Sequence, residues 1–80
     1  MISAEKSKTY IVLWTLSGTA KLMREVVQLL NEADICAKPF ELAQEKEVWV
    51  SVPLEMARHV ESIVRRAKDV VTIIIKTEYY

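Results

Sequence analysis

Glycine is almost missing from this chain: Gly18 is the single one in 80 residues. Glycine-rich loops that cradle phosphates are therefore excluded. Cysteine is equally scarce. Cys36 stands alone, so no disulfide can form within the chain, which fits a reducing compartment. His59 is the only histidine, and one Cys with one His cannot by themselves supply the three or four ligands of a metal site. Net charge is missing too, because 11 basic and 11 acidic residues cancel. A domain of pI ≈ 6.6 lacks the basic footprint of a nucleic-acid binder. The longest uncharged run, Thr9 to Ala20, falls short of the roughly 18 residues of a membrane span. The polar stretch Met1 to Lys8 has no apolar segment of the signal-peptide kind. The expectation is a soluble, cytoplasmic protein without membrane contact.

What the chain does hold is apolar residue, 51% of the total. One domain of this size sits near the lower limit for a single unstapled core. Hiding so much apolar surface within it is difficult, so self-association into a dimer or a higher homo-oligomer is expected.

Residues 1–8 are expected to be a flexible lead-in, and 9–80 a single domain. Thr9–Leu16 is a run of β-branched and aromatic residues with almost no alternation, which suits a central strand. Ser17 and Gly18 break it, and Ser17 or Thr19 is placed to cap a helix over about 19–33. On that helix Leu22, Met23, Val26, Val27, Leu29, Leu30 and Ala33 share a sector wider than one sheet contact needs. Ile35–Leu42 is expected to be an edge strand, since Lys38 and Pro39 discourage pairing. Ala43–Lys46 turns the chain into Glu47–Val52, where Val48, Val50 and Val52 alternate with Glu47, Trp49 and Ser51. Pro53 opens a second helix to about residue 68, striped with Met56, Ala57, Val60, Ile63, Val64 and Ala67. A last strand covers Val70–Thr77, with Glu78 to Tyr80 as a tail.

The order β-α-β-β-α-β, with right-handed crossovers, gives an α+β ferredoxin-like fold. Its four-stranded antiparallel sheet runs 4-1-3-2, with both helices on one face. The other face is left open. If Ile11 and Leu13 turn inward beside Val71, Ile73 and Ile75, then Tyr10, Val12, Trp14, Trp49 and Ile74 gather on the open side. Trp14 is the ambiguous member, because Val12 and Trp14 could instead face the core. An apolar patch of this kind marks an interface. It could pair two copies or, through Trp14 and Trp49, stack nucleobases as RNA-recognition modules do. The neutral charge, and the absence of a glycine and paired aromatics in Lys46–Val52, count against the second.

Little here suggests catalysis. His59 lies on the margin of the second helix stripe, Cys36 reads as a buried structural thiol, and the acidic residues are scattered along helix surfaces. The acylphosphatase form of this fold needs a glycine-rich arginine loop after the first strand, which is absent. No enzyme activity, cofactor or metal is expected.

The segment Leu16 to Ile35 resembles the first half of an ACT domain: a strand ends at a turn glycine, a helix follows, and a short turn leads to the second strand. In that family small effectors such as amino acids bind between paired domains near the turn glycine. The resemblance implies a ligand site at Ser17, Gly18 and Thr19 with Ile35 opposite. Backbone N–H groups at a helix start suit a carboxylate. The acidic residue and proline that often precede the glycine are replaced here by Leu16 and Ser17. The expected function is a non-catalytic, self-associating ACT-like module binding a small effector. The alternatives are an assembly subunit using the open face or the last strand's edge, and an RNA-binding module.

Overall fold

A computed structural model describes residues 7–79, and the side chains of 8–78. The described residues form a four-stranded antiparallel sheet and two α-helices. Strand β1 is Ser7–Thr15, helix α1 Thr19–Glu32, β2 Lys38–Leu42, β3 Glu47–Val52, α2 Ala57–Val64 and β4 Val70–Tyr79. The spatial order β2-β3-β1-β4 is the expected 4-1-3-2 read from the other edge. Of the expected lead-in, residues 1–6 lie outside the described residues. Ser7 and Lys8 are already in β1, opposite Tyr79 and Glu78. The expected tail is likewise shortened, since Glu78 and Tyr79 belong to β4 and Tyr80 lies outside the described residues.

The core lies between the sheet and the helices. Ile11, Leu13, Val48, Val50 and Val52 point into it from β1 and β3, and Leu22, Val26 and Leu30 from α1. Ala57, Val60, Val64 and Ala67 complete it from α2 and just beyond. Helix α1 lies over β2 and β3, α2 over β1 and β4, and the two helices touch. The expected stripe of α2 faces inward, as do Leu22, Val26, Leu29 and Leu30 of α1, whereas Val27 and Ala33 at the margins of the wider α1 stripe are exposed. The inner choice for β1 is Ile11 and Leu13, each fully buried.

Several boundaries differ from expectation, each for a local reason. Helix α1 ends in a Schellman turn: Asp34 adopts the left-handed conformation (φ 59°), and its N–H donates to the Asn31 carbonyl at 3.1 Å. The Ile35 N–H reaches back to the Leu30 carbonyl at 3.0 Å. Ile35, Cys36 and Ala37 are thereby spent on leaving the helix, and β2 starts only at Lys38. The α1 cap also differs: Gly18 is the N-cap, and neither Ser17 nor Thr19 donates or accepts a capping side-chain bond. Ser17 instead bonds back to Thr15, its N–H donating to the Thr15 hydroxyl at 3.2 Å.

The turn after β2 is one 3-10 segment, Ala43–Glu45, closed by Lys46 in the left-handed conformation (φ 57°). Lys46 does there what glycine usually does. Pro53 precedes its helix rather than opening it, because the segment Leu54–Met56 is 3-10 and regular α-structure starts at Ala57. The helix also ends earlier than the expected residue 68, at Val64 with Arg65 as its C-cap.

One inward assignment is overturned, and a second, Ile75, keeps the helix side opposite Ile11 but is left 42% exposed. The β1–β4 register shifts between Trp14 and Thr15, so Val70 stands opposite Thr15 and Val71 falls in the irregularity. Val71 is 52% exposed, not inward, and Val70 packs on the core in its stead.

Candidate interaction face

Directly paired residues of an antiparallel ladder share a face. Since Val48, Val50 and Val52 are buried under the helices, the rest of the register lays out the open face in three rows, beyond which Lys8 stands opposite Glu78. Phe40, Trp49, Val12 and Ile74 stand side by side from β2 to β4. Lys38, Ser51, Tyr10 and Lys76 form the row on one side; Leu42, Glu47, Trp14 and Thr72 form the other. All five residues expected on this face are there: Tyr10, Val12, Trp14, Trp49 and Ile74.

Phe40 is absent from that expectation, and it stands at the β2 end of the central row. Its ring centroid lies 6.2 Å from those of both Tyr10 and Trp49, and the Tyr10 and Trp49 rings meet edge-on at 5.2 Å. Such edge-on pairs hold more tightly than their buried area alone implies. The available signal was the alternation within Lys38–Leu42, which puts Phe40 on the same side as Lys38 and Leu42.

The polar tips of the two tryptophans are tied to this chain. Trp49 Nε1 donates to Glu47 Oε1 at 2.9 Å, and Trp14 Nε1 to the Glu45 carbonyl at 3.2 Å. Lys76 Nζ sits 5.1 Å from the centroid of a Trp49 ring, a cation–π arrangement. A nucleobase stacking there would have to displace Lys76. Phe40 is 40% exposed and Ile74 53%, and they stand at the two ends of the central row.

The residues assigned by the ACT resemblance occupy two separate places. Ser17, Gly18 and Thr19 are at the start of α1: Ser17 is exposed, Gly18 half-buried and Thr19 buried. Ile35 lies past the other end of the 14-residue helix, about 21 Å away at 1.5 Å per residue. One chain does not bring them together. Ile35 is half-buried against the core beside Leu30, which is the apolar contact that accompanies a Schellman turn. Gly18 is extended (φ −148°, ψ 135°), and a Cβ placed on it would meet nothing within 4 Å. Next to Ser17 an open groove of about 330 Å³ is lined by Leu16, Lys68, Asp69, Val70 and Val71. Asp69 Oδ2 is 3.7 Å from Lys21 Nζ.

Elsewhere there is little chemistry. Cys36 is exposed rather than buried, because it sits in the connection that Asp34 opens. His59 is exposed on α2. Among the described residues no group of three or more His, Cys, Asp and Glu is placed to hold a metal, and no helix is long and apolar enough to cross a membrane. A groove of about 580 Å³ along α1 is walled by that helix alone, with Met23 and Val27 as its apolar floor. It is the outer flank of the wide stripe. No family model, no curated protein and no solved structure matches this chain.

Proposed function

We propose that this protein is a non-catalytic, self-associating module of ferredoxin-like topology, and that the open face of its sheet is the contact between copies. The observation that carries the reading is the continuous row Phe40–Trp49–Val12–Ile74, flanked by Tyr10 and Trp14, on the sheet face that the helices leave bare. Apolar and aromatic residues on the outer side of a sheet raise the free energy while exposed to water, and a second copy offers the same surface in return.

The dimensions fit. Four strands about 4.8 Å apart and some six residues at about 3.4 Å give a projected face of about 19 by 20 Å. Side chains standing off the sheet raise its accessible area towards the roughly 600 Å² per partner at the lower end of specific interfaces. Sedimentation equilibrium at micromolar concentration tests the reading. A mass of at least two 9.2 kDa chains is expected, and a monomer would overturn it.

The ACT resemblance adds a second reading, an amino-acid-like effector near Ser17–Thr19. What favours it is the uncapped start of α1 beside a groove that offers Lys68 and Asp69, cation and anion, to a zwitterion. Ile35 would have to come from a neighbouring copy. A thermal-shift screen tests this reading.

A further inference from the structure

We propose that the edge of β4 away from β1, which pairs with no strand among the described residues, is a second self-association surface, on which β4 of another copy adds antiparallel and continues the sheet. The two edges of the sheet are built differently. Strand β2 has five residues and carries Lys38, Pro39 and Glu41, all devices that discourage an added strand. Strand β4 has ten, and beyond the irregularity at Val71 its stretch Thr72–Ile75 holds no proline and no charge. A long apolar edge left bare invites uncontrolled pairing, so a specific cover is the expected solution.

The exposure pattern says what kind of cover it is. Ile74 is 53% exposed on the open face, and Ile75 is 42% exposed on the helix side, beyond the reach of the eight-residue α2. A partner on the open face covers only the first, and a partner on the helices only the second. An added strand sets side chains next to both at once.

A second copy suits that place because β4 complements itself. With a two-fold axis at Ile74, Ile73 of each chain stands opposite Ile75 of the other on the helix side. Ile74 meets its own copy, and Thr72 lies opposite Lys76. No like charges face one another in that register.

Area decides how the contact works. Ten residues at about 3.4 Å and a sheet about 10 Å thick present about 340 Å² per chain, well short of the roughly 800 Å² per partner of a typical stable dimer. The edge therefore acts on top of the face contact, and the inference rests on that reading for its stability. When two chains stack face to face with their β4 edges on the same side, both edges engage together. The result is a closed tetramer with three two-fold axes.

The test uses the full chain. Sedimentation equilibrium should give four chains for the unaltered protein, two for Ile75→Lys, and one for Phe40→Glu, each with native circular dichroism. In parallel, amide exchange is read residue by residue. Alternate β4 amides point away from β1. In the unaltered protein they should exchange at least ~10-fold more slowly than the outward amides of β2. An Ile75→Lys variant with unchanged mass, a dimeric unaltered protein, or outer β4 amides as fast as those of β2 would each overturn the edge contact. Failure of the face reading looks different, because Phe40→Glu then leaves the mass unchanged. If Ile75→Lys does not fold, the exchange pattern of the unaltered protein alone decides.

Discussion

Val12 and Trp49 stand directly opposite each other across the β1–β3 ladder, and the valine is only 4% exposed on a face that carries no helix. Its neighbours on either side, Trp49 and Ile74, are large enough to roof it. One chain thus already shelters the centre of its open face with its own side chains. What remains for a partner is the rim, Phe40 and Ile74 above all.

The inward register of β1 makes Leu13 a core residue with no exposed surface. Leu13→Ala should cost about 2–5 kcal/mol. For a domain of this size that lowers the melting temperature by roughly 10 °C or more. A loss below about 1 kcal/mol in urea unfolding would mean that the opposite face of β1 is the buried one.

Asp34 and Lys46 hold left-handed backbone that glycine adopts at no steric cost. Replacing Asp34 or Lys46 with glycine should raise stability by about 0.5–1 kcal/mol each, less the entropy that glycine brings to the unfolded chain. Alanine at either site should not. A clear destabilisation by Asp34→Gly would contradict the Schellman ending of α1.

Gly18 is the reverse case, a glycine where the backbone does not demand one. Gly18→Ser should gain a few tenths of a kcal/mol by capping the free N–H groups of α1. Gly18→Val should fold normally. A loss above about 2 kcal/mol for either would show a crowding or a strain at this turn that its geometry lacks.

That tolerance sharpens the effector test. A ligand present at a hundred times its dissociation constant adds about 2.7 kcal/mol, or a rise of roughly 10 °C in melting temperature. Among amino acids, one should raise the melting temperature of the unaltered protein and leave that of Gly18→Val unmoved, because the valine side chain blocks approach to the helix start. If no amino acid shifts the melt, the effector reading falls and self-association stands without it.

The sheet order, both helix stripes and the inward valines of β3 were legible from periodicity, because a buried face imposes its repeat on the residues that fill it. Turns were harder. Asp34 and Lys46 carry no glycine to announce left-handed backbone, so β2 was expected three residues too early and the Ala43–Lys46 turn lacked a marker. The register shift leaves no trace in an apolar run: Val70 and Val71 are the same residue type, yet Val70 pairs with Thr15 and Val71 falls in the irregularity. On the open face, alternation in Glu47–Val52 places Trp49, while Tyr10, Val12 and Trp14 follow from setting Ile11 and Leu13, rather than a tryptophan, under the helices. Phe40 was missed because it lies between edge-protecting residues, where composition points to pairing defence rather than to a surface.

The most direct measurement compares the unaltered protein with Phe40→Glu by sedimentation velocity, with thermal melts alongside. Phe40 is 40% exposed in the single chain, so a carboxylate there can stay hydrated and should cost its fold little. In a face-to-face contact the same carboxylate is buried beside a second aromatic cluster without a partner charge, which is strongly unfavourable. The expected result is an oligomeric unaltered protein and a folded, monomeric Phe40→Glu. A folded Phe40→Glu that sediments with the same mass as the unaltered protein would contradict the open face as the contact between copies.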